Sequence, residues 1–324
     1  MSIGKRVFDA FFIPLWRKNT PIPTENGCTF AAGFKLQPLK NYKSKQTMQN
    51  KLFRMLLLLL TMLITVGSTD AAKKVHTLGD STMAPYDESA TNTRGWGMYF
   101  GNFLSNGWTS VNYARGGRDS RGGYNELWQN AKNNVEAGDY VLIQFAHNDG
   151  KYNGMDNLEL QAYYTAQGDA KNAAAVKSDG RGTTPSTTYK QCLKQIIDAV
   201  KEKGATPILV SAVCRCYFGS DNKITRPGRH DLGNKYDAIV EGVLRTSLSV
   251  GEDNHTYDYS YQMKQLATEE NIDFIDMTTA TKELYESYKT YDKCYAALFD
   301  KGAETDNTHY NLTGAMTAAR LCHS

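Results

Sequence analysis

The stretch Val75-His76-Thr77-Leu78-Gly79-Asp80-Ser81-Thr82-Met83 joins a short apolar run to a turn of glycine, aspartate and serine. Val75–Leu78 reads as a β-strand, and similar runs follow at Thr109–Asn112, Tyr140–Phe145, Pro207–Val213 and Ile272–Asp276. The third and fourth are continuously apolar, as strands covered on both faces are. Amphipathic stretches lie between and after them. Tyr189–Lys203 lines up Leu193, Ile196, Ile197 and Val200 on one stripe before a Gly204 stop, and Tyr257–Glu270 and Leu312–Leu321 read similarly. This alternation predicts an α/β fold with a central five-stranded parallel sheet and helices on both faces. Two stretches break it, Gly150–Thr188 and Tyr217–Thr256, both rich in Gly, Asn, Asp, Thr and Tyr. They read as long loops after strand carboxyl ends, where open α/β sheets bind ligands.

Four segments carry chemistry, three after strand carboxyl ends and one before the last helix. Ser81 follows the first strand, where helix amides can surround its hydroxyl; a plain N-cap serine would look the same. Asn112-Tyr113-Ala114-Arg115-Gly116-Gly117 follows the second strand, and a glycine there lets backbone approach a ligand and present an N–H. Phe145-Ala146-His147-Asn148-Asp149 follows the third, with the Asn148 amide as a candidate oxyanion donor or as an Asx turn. Asp306-Asn307-Thr308-His309 leads into the last helix, with a carboxylate three residues before a histidine that it can orient. A metal pair is the rival for the last segment, but no second pair with suitable spacing follows the leader. His76 lies in a strand, and His230, His255 and His323 lie in loops or at the end.

In this order, the four segments resemble the SGNH (GDSL-type) hydrolase superfamily over nearly all of residues 73–324. The resemblance implies a three-layer, flavodoxin-like fold and a serine esterase that needs no metal or organic cofactor. It makes Ser81 the nucleophile, His309 and Asp306 the acid–base pair, and Ser81, Gly117 and Asn148 the oxyanion hole. With Arg94-Gly95-Trp96-Gly97 and His147-Asn148-Asp149, the chain is similar to the rhamnogalacturonan acetylesterase branch. The implied partner is an acetylated plant cell-wall polysaccharide. An acetylxylan or general acetylesterase, and a non-catalytic glycan-binding module on the same scaffold, are the alternatives. Ala146 stands where the branch usually has glycine, which narrows the pocket by a methyl group. The uronates of such a polymer suggest carboxylate readers, and Arg115, Arg118 and Arg121 cluster around Gly117. His147 joins them as a candidate substrate contact. Pairing of Arg118 or Arg121 with Asp119, or helix capping, is the plainer reading of the arginines. Tyr152, Tyr163, Tyr164 and Tyr217 in the long loops offer rings for sugar stacking.

The net charge of +3 would invite a nucleic-acid reading, but residues 1–71 hold 10 of the 37 basic and 3 of the 34 acidic residues. The rest, 27 basic against 31 acidic, carries −4, which argues against nucleic acid. Lys51 and Arg54 precede the apolar run Met55–Val66, too short to span a bilayer, and small residues follow it. This reads as a signal peptide cut after Ala71, and so as a secreted or periplasmic protein without stable membrane insertion; a signal anchor is the rival. Residues 1–47, upstream of Met48, read as a mis-assigned extension, and 72–324 as the catalytic domain. The end at Ser324 suggests a clipped last helix. Cys192, Cys214, Cys216, Cys294 and Cys322 are too few for a disulfide scaffold; Cys192 shares a helical face with Ile196, and Cys214-x-Cys216 alone is a weak metal signal.

Overall fold

The computed structural model describes residues 73–105, 107–225, 235–251 and 254–324. The leader, with the Met55–Val66 run and the cut after Ala71, lies outside those residues, as does His230. Described strands run over Lys73–Gly79 (β1), Trp108–Asn112 (β2), Tyr140–Gln144 (β3), Thr206–Val210 (β4), Lys235–Val240 (β5), Val243–Ser249 (β6) and Asp273–Ile275 (β7). Helices run over 120–131 (α1), Asn157–Ala166 (α2), Ala170–Asp179 (α3), Lys190–Glu202 (α4), Tyr259–Glu270 (α5), Met277–Ser287 (α6), Tyr291–Leu298 (α7) and Leu312–His323 (α8). The middle of α1, Gly123–Trp128, is wound as a π-helix.

Five strands form one parallel sheet in the order β2-β1-β3-β4-β7, as the apolar runs predict. Side chains alternate across it. Val75, Leu142 and Val210 face a core with Trp96, Met277, Tyr285, Leu298 and Ala318. Leu78, Val141, Ile143 and Leu209 face another with Leu193, Ile196, Ile197, Val200 and Met263. The layers are therefore helix, sheet, helix. The α4 stripe is fully buried, and each such side chain contributes about 1.5–3 kcal/mol relative to exposure. Register sets the functional edge. Thr77 lies opposite Asn112 and Leu142, and Gly79 opposite Gln144, so the turns after β1, β2 and β3 leave the sheet side by side.

The two expected loops hold more structure than their composition suggests. Gly150–Thr188 contains α2 and α3, started by the Asp156 and Asp169 side chains, which accept from first-turn N–H groups. Only Asn157 and Leu160 of α2 and Ala173 and Val176 of α3 are buried, which leaves no apolar stripe to read. The second stretch holds the β5–β6 hairpin, which turns at Glu241-Gly242 with φ of 50° and 74°. Two positive φ values suit a tight hairpin turn, and glycine takes the second at no steric cost. All five described cysteines are free and buried. Among the described residues, no helix is long and apolar enough to cross a membrane.

Candidate active site

Ser81 sits on the turn after β1, and His309 just before α8, 228 positions later. The Ser81 hydroxyl lies 2.8 Å from His309 Nε2, and His309 Nδ1 lies 3.1 Å from Asp306 Oδ1. With the Nδ1 proton directed at the carboxylate, Nε2 is free to accept from the serine. The backbone N–H groups of Thr308 and His309 also donate to Asp306 Oδ1, each at 2.7 Å. Burial pushes the Asp306 carboxyl up, but the His309 ring and those two N–H groups outweigh it and hold it well below the usual carboxylate range. Asp306 is thus a fixed anion beside the imidazole. A serine, an imidazole and a carboxylate in hydrogen-bonded sequence can move a proton from hydroxyl to ring, which is the first need of acyl transfer.

The sequence profile of the GDSL-like lipase/acylhydrolase family matches residues 77–315, which include all three groups. The chain belongs to that family. Its members are serine esterases, and so is this enzyme. The chain is 29% identical over 257 residues to the rhamnogalacturonan acetylesterase RhgT of Bacillus subtilis, spanning 76% of this chain and 87% of that one. It is 29% identical over 251 residues to the probable rhamnogalacturonan acetylesterase YesY of the same organism, spanning 77% and 90%. The crystal structure of protein YXIM from Bacillus subtilis superposes with a TM-score of 0.52 at 21% identity, over 77% of this chain and 55% of that chain. That likeness is one of fold.

In this GDSL-like hydrolase the turn that carries Ser81 is braced by buried hydrogen bonds. Asp80, fully buried, accepts from the Thr82 N–H at 2.9 Å and the Thr82 hydroxyl at 2.7 Å. Gln144 donates to Thr82 Oγ1 at 2.8 Å and accepts from Trp96 Nε1 at 3.0 Å. The segment carrying Trp96 reaches both halves of the site. Trp96 N–H donates to Thr82 O at 3.0 Å, and Arg94 N–H to Tyr310 O at 2.9 Å. Arg94-Gly95-Trp96 therefore clips the serine turn to the residue after His309. Sequence reading noticed Trp96 within a motif but missed Gln144, which ends an apolar strand and carries no local signal.

The proposed oxyanion residues lie on adjoining turns. A side chain at Gly116 would meet Ser81 Cβ at 3.7 Å, so the backbone of this turn runs beside Ser81. Gly117 has φ of 75°, the left-handed region that favours glycine, and no described residue stands within 4 Å of where its side chain would be. Asn148 Nδ2 donates to Arg118 O at 3.0 Å, and its Oδ1 accepts from Arg181 at 3.0 Å. One bond to Arg118 leaves the second amide hydrogen for a ligand. Arg181 is a contact that the sequence did not reveal. His147 belongs to the same turn and is 6% exposed.

The three arginines have carboxylate partners, but not Asp119. Arg115 and Arg118 both meet Glu126, the latter through Nε and Nη2 at 2.8 and 2.9 Å, and Arg121 meets Asp156. Asp119 instead accepts from the N–H groups of Gly122 and Gly182. Arg118, Arg121, Glu126, Asp179 and Arg181 line a cleft of about 300 Å³ beside Gly117. Arg215, Tyr217, Tyr291 and Tyr295 line an open cleft of about 910 Å³ that includes Asp306 and His309. Of the tyrosines singled out in the sequence, Tyr217 is the one on that wall.

Under Asn148, the Asp149 carboxylate ties two loops together. It accepts from the Ser120 N–H and hydroxyl and from the Thr183 hydroxyl, the hydroxyls at 2.6 and 2.7 Å. Burial, and next the charge of Asp119, push its carboxyl up to about 7. A carboxyl raised above its unfolded value of 3.8 stabilises the fold fully below that pH and loses the contribution as pH rises toward 7. Stability is therefore expected to fall by a few kcal/mol between about pH 4 and pH 7 through this group. Urea unfolding across that range should show a slope that Asp149→Asn removes; an equal slope in both proteins would contradict this.

Proposed function

We propose that this esterase removes acetyl groups from a pectic, uronate-bearing polysaccharide through Ser81, His309 and Asp306. The observation that carries the reading is the continuous Ser81–His309–Asp306 hydrogen-bond chain at the edge of an open cleft. His309 takes the Ser81 proton as the serine oxygen attacks the acetyl carbonyl, and Asp306 stabilises the imidazolium. The N–H groups of Ser81 and Gly117 and the amide of Asn148 receive the oxyanion, a contribution of about 3–4 kcal/mol per donor. The sugar hydroxyl leaves with the proton from His309. Water, deprotonated by the same ring, then releases acetate. The tyrosine-walled cleft suits a glycan, whose sugar faces can stack on such rings.

The names of the two Bacillus subtilis relatives support the pectic substrate. Among the arginines, Arg115 is the one best able to read a uronate. Its side chain is 61% exposed, and an exposed pair such as that with Glu126 is worth only about 0–1 kcal/mol, so exchanging Glu126 for a substrate carboxylate costs little. Arg121 is tied to the buried Asp156. Export through the Met55–Val66 segment completes the reading and rests on the sequence. The test is acetate release by exported enzyme whose first residue falls near Ala72. Acetylated rhamnogalacturonan is expected to outrun acetylxylan and to lose that lead in high salt. Arg115→Ala should raise KM for the polymer more than for an aryl acetate. Equal, salt-independent rates on both polymers would mean a xylan-directed or general acetylesterase. Glycan binding without acetate release would mean a non-catalytic module.

A further inference from the structure

A lysine that sequence reading passed over sits behind the acid–base pair. Lys301 lies in the segment between α7 and Asp306, and its side chain is completely buried. Its ammonium donates to Phe299 O at 3.1 Å and to His309 O at 2.9 Å, and lies 3.2 Å from Asp306 Oδ2. Three donors meet three acceptors, the condition for keeping such a cation out of water. The two Asp306 oxygens are thereby divided. Oδ1 takes the imidazole and two backbone N–H groups, and Oδ2 takes the lysine. Rotating the carboxylate away from His309 would break the lysine contact, and shifting the His309 backbone would break another.

We propose that Lys301 is a positioning residue for the Asp306–His309 pair, holding the carboxylate and the histidine backbone in one geometry and moderating the charge that the imidazole feels. This rests on the reading of Ser81, His309 and Asp306 as the catalytic groups. The electrostatic half has a definite sign. A cation on the far side of Asp306 weakens the carboxylate's hold on the imidazolium. Removing it strengthens that hold, so the ring keeps its proton to higher pH. The other groups facing the pair stay in place: Ser81 and the buried Asp80 from the β1 turn, Tyr86, Tyr295 from α7, and Arg215 on the cleft wall.

The experiment uses the full enzyme and a small aryl acetate, so that sugar identity does not enter. Lys301→Met is expected to lower kcat by about tenfold or more with KM changed little. It should also move the acidic limb of the activity profile upward by about half a unit or more. Lys301→Arg, which keeps the charge, should leave the limb where the wild type has it. In an Asp306→Asn background, Lys301→Met should cost little further kcat, because the carboxylate that it positions is gone. If the methionine variant does not fold, Lys301→Gln carries the same test. Wild-type kcat and an unmoved limb in the methionine or glutamine variant, with only the thermal midpoint lowered, would overturn the proposal and leave the triad reading standing. Activity retained in Ser81→Ala would instead overturn the triad reading itself.

Discussion

Ser81→Ala is expected to cut acetate release by about a millionfold, and His309→Ala by nearly as much, while both proteins unfold like the wild type. A serine hydroxyl at neutral pH is a poor nucleophile, and in the proposed mechanism the imidazole 2.8 Å away is the base that makes it useful. Removing either partner removes the same step, so the double variant should be no worse than the worse single one. Asp306→Ala should cost less, about ten-thousandfold, because the imidazole remains but loses its orientation and its counter-charge. What survives would come from the oxyanion donors and from binding alone. An organophosphate should label Ser81 in the wild type and not in His309→Ala on the same timescale. Undiminished hydrolysis in Ser81→Ala, or recovery of the histidine variant by a divalent metal, would replace the acyl-enzyme scheme by a metal-assisted one.

The parts of this architecture that were legible in the sequence are those whose physics is local. Strands covered on both faces show as unbroken apolar runs, which is why Tyr140–Gln144 and Thr206–Val210 could be found within a residue or three. The α4 stripe is written at helical spacing. Ser81, Gly117, Asn148 and the Asp306–His309 pair each sit at the end of such an element, so an element's end marks each of them. Long-range partners have no such mark. Asp119 was the nearest carboxylate in sequence to Arg121, yet the arginine reaches Asp156, 35 residues on, because α2 begins there and fixes that side chain as its cap. Lys301 stands in a polar loop without period or motif, and only folding reveals that its amine is enclosed. The apolar run of the fourth strand also outlasts its pairing: Val213 is buried although the ladder with β7 ends at Val210. Hydrophobicity reports burial, not hydrogen bonding.

Gly95→Ala is expected to be the most damaging single-methyl change near the site. Gly95 has φ of −89° and ψ of 141°, ordinary extended backbone, so conformational freedom is not why glycine stands there. Space is the reason. A methyl on Gly95 would lie 2.1 Å from Ala84 O and 2.5 Å from the Met83 carbonyl carbon, both backbone atoms that cannot swing aside. The 94–96 segment would have to retreat from the serine turn by about an ångström to reach van der Waals contact. That retreat loads both of its anchors, the Trp96 N–H on Thr82 O and the Arg94 N–H on Tyr310 O. These anchors hold the Ser81 turn and the His309 segment at a common distance, so the cost appears twice. Overpacking a rigid contact costs about 1–3 kcal/mol, and the strained hydrogen bonds add to it. A nucleophile displaced by about 1 Å from its base loses on the order of a hundredfold in rate. Gly251→Ala, where among the described residues a methyl would meet only Asn254 Cβ at 3.9 Å, is the control and should change neither property. Urea unfolding and aryl acetate hydrolysis measured on both variants separate the two costs. A Gly95→Ala protein with wild-type stability and rate would show that the serine turn yields where its packing says that it cannot.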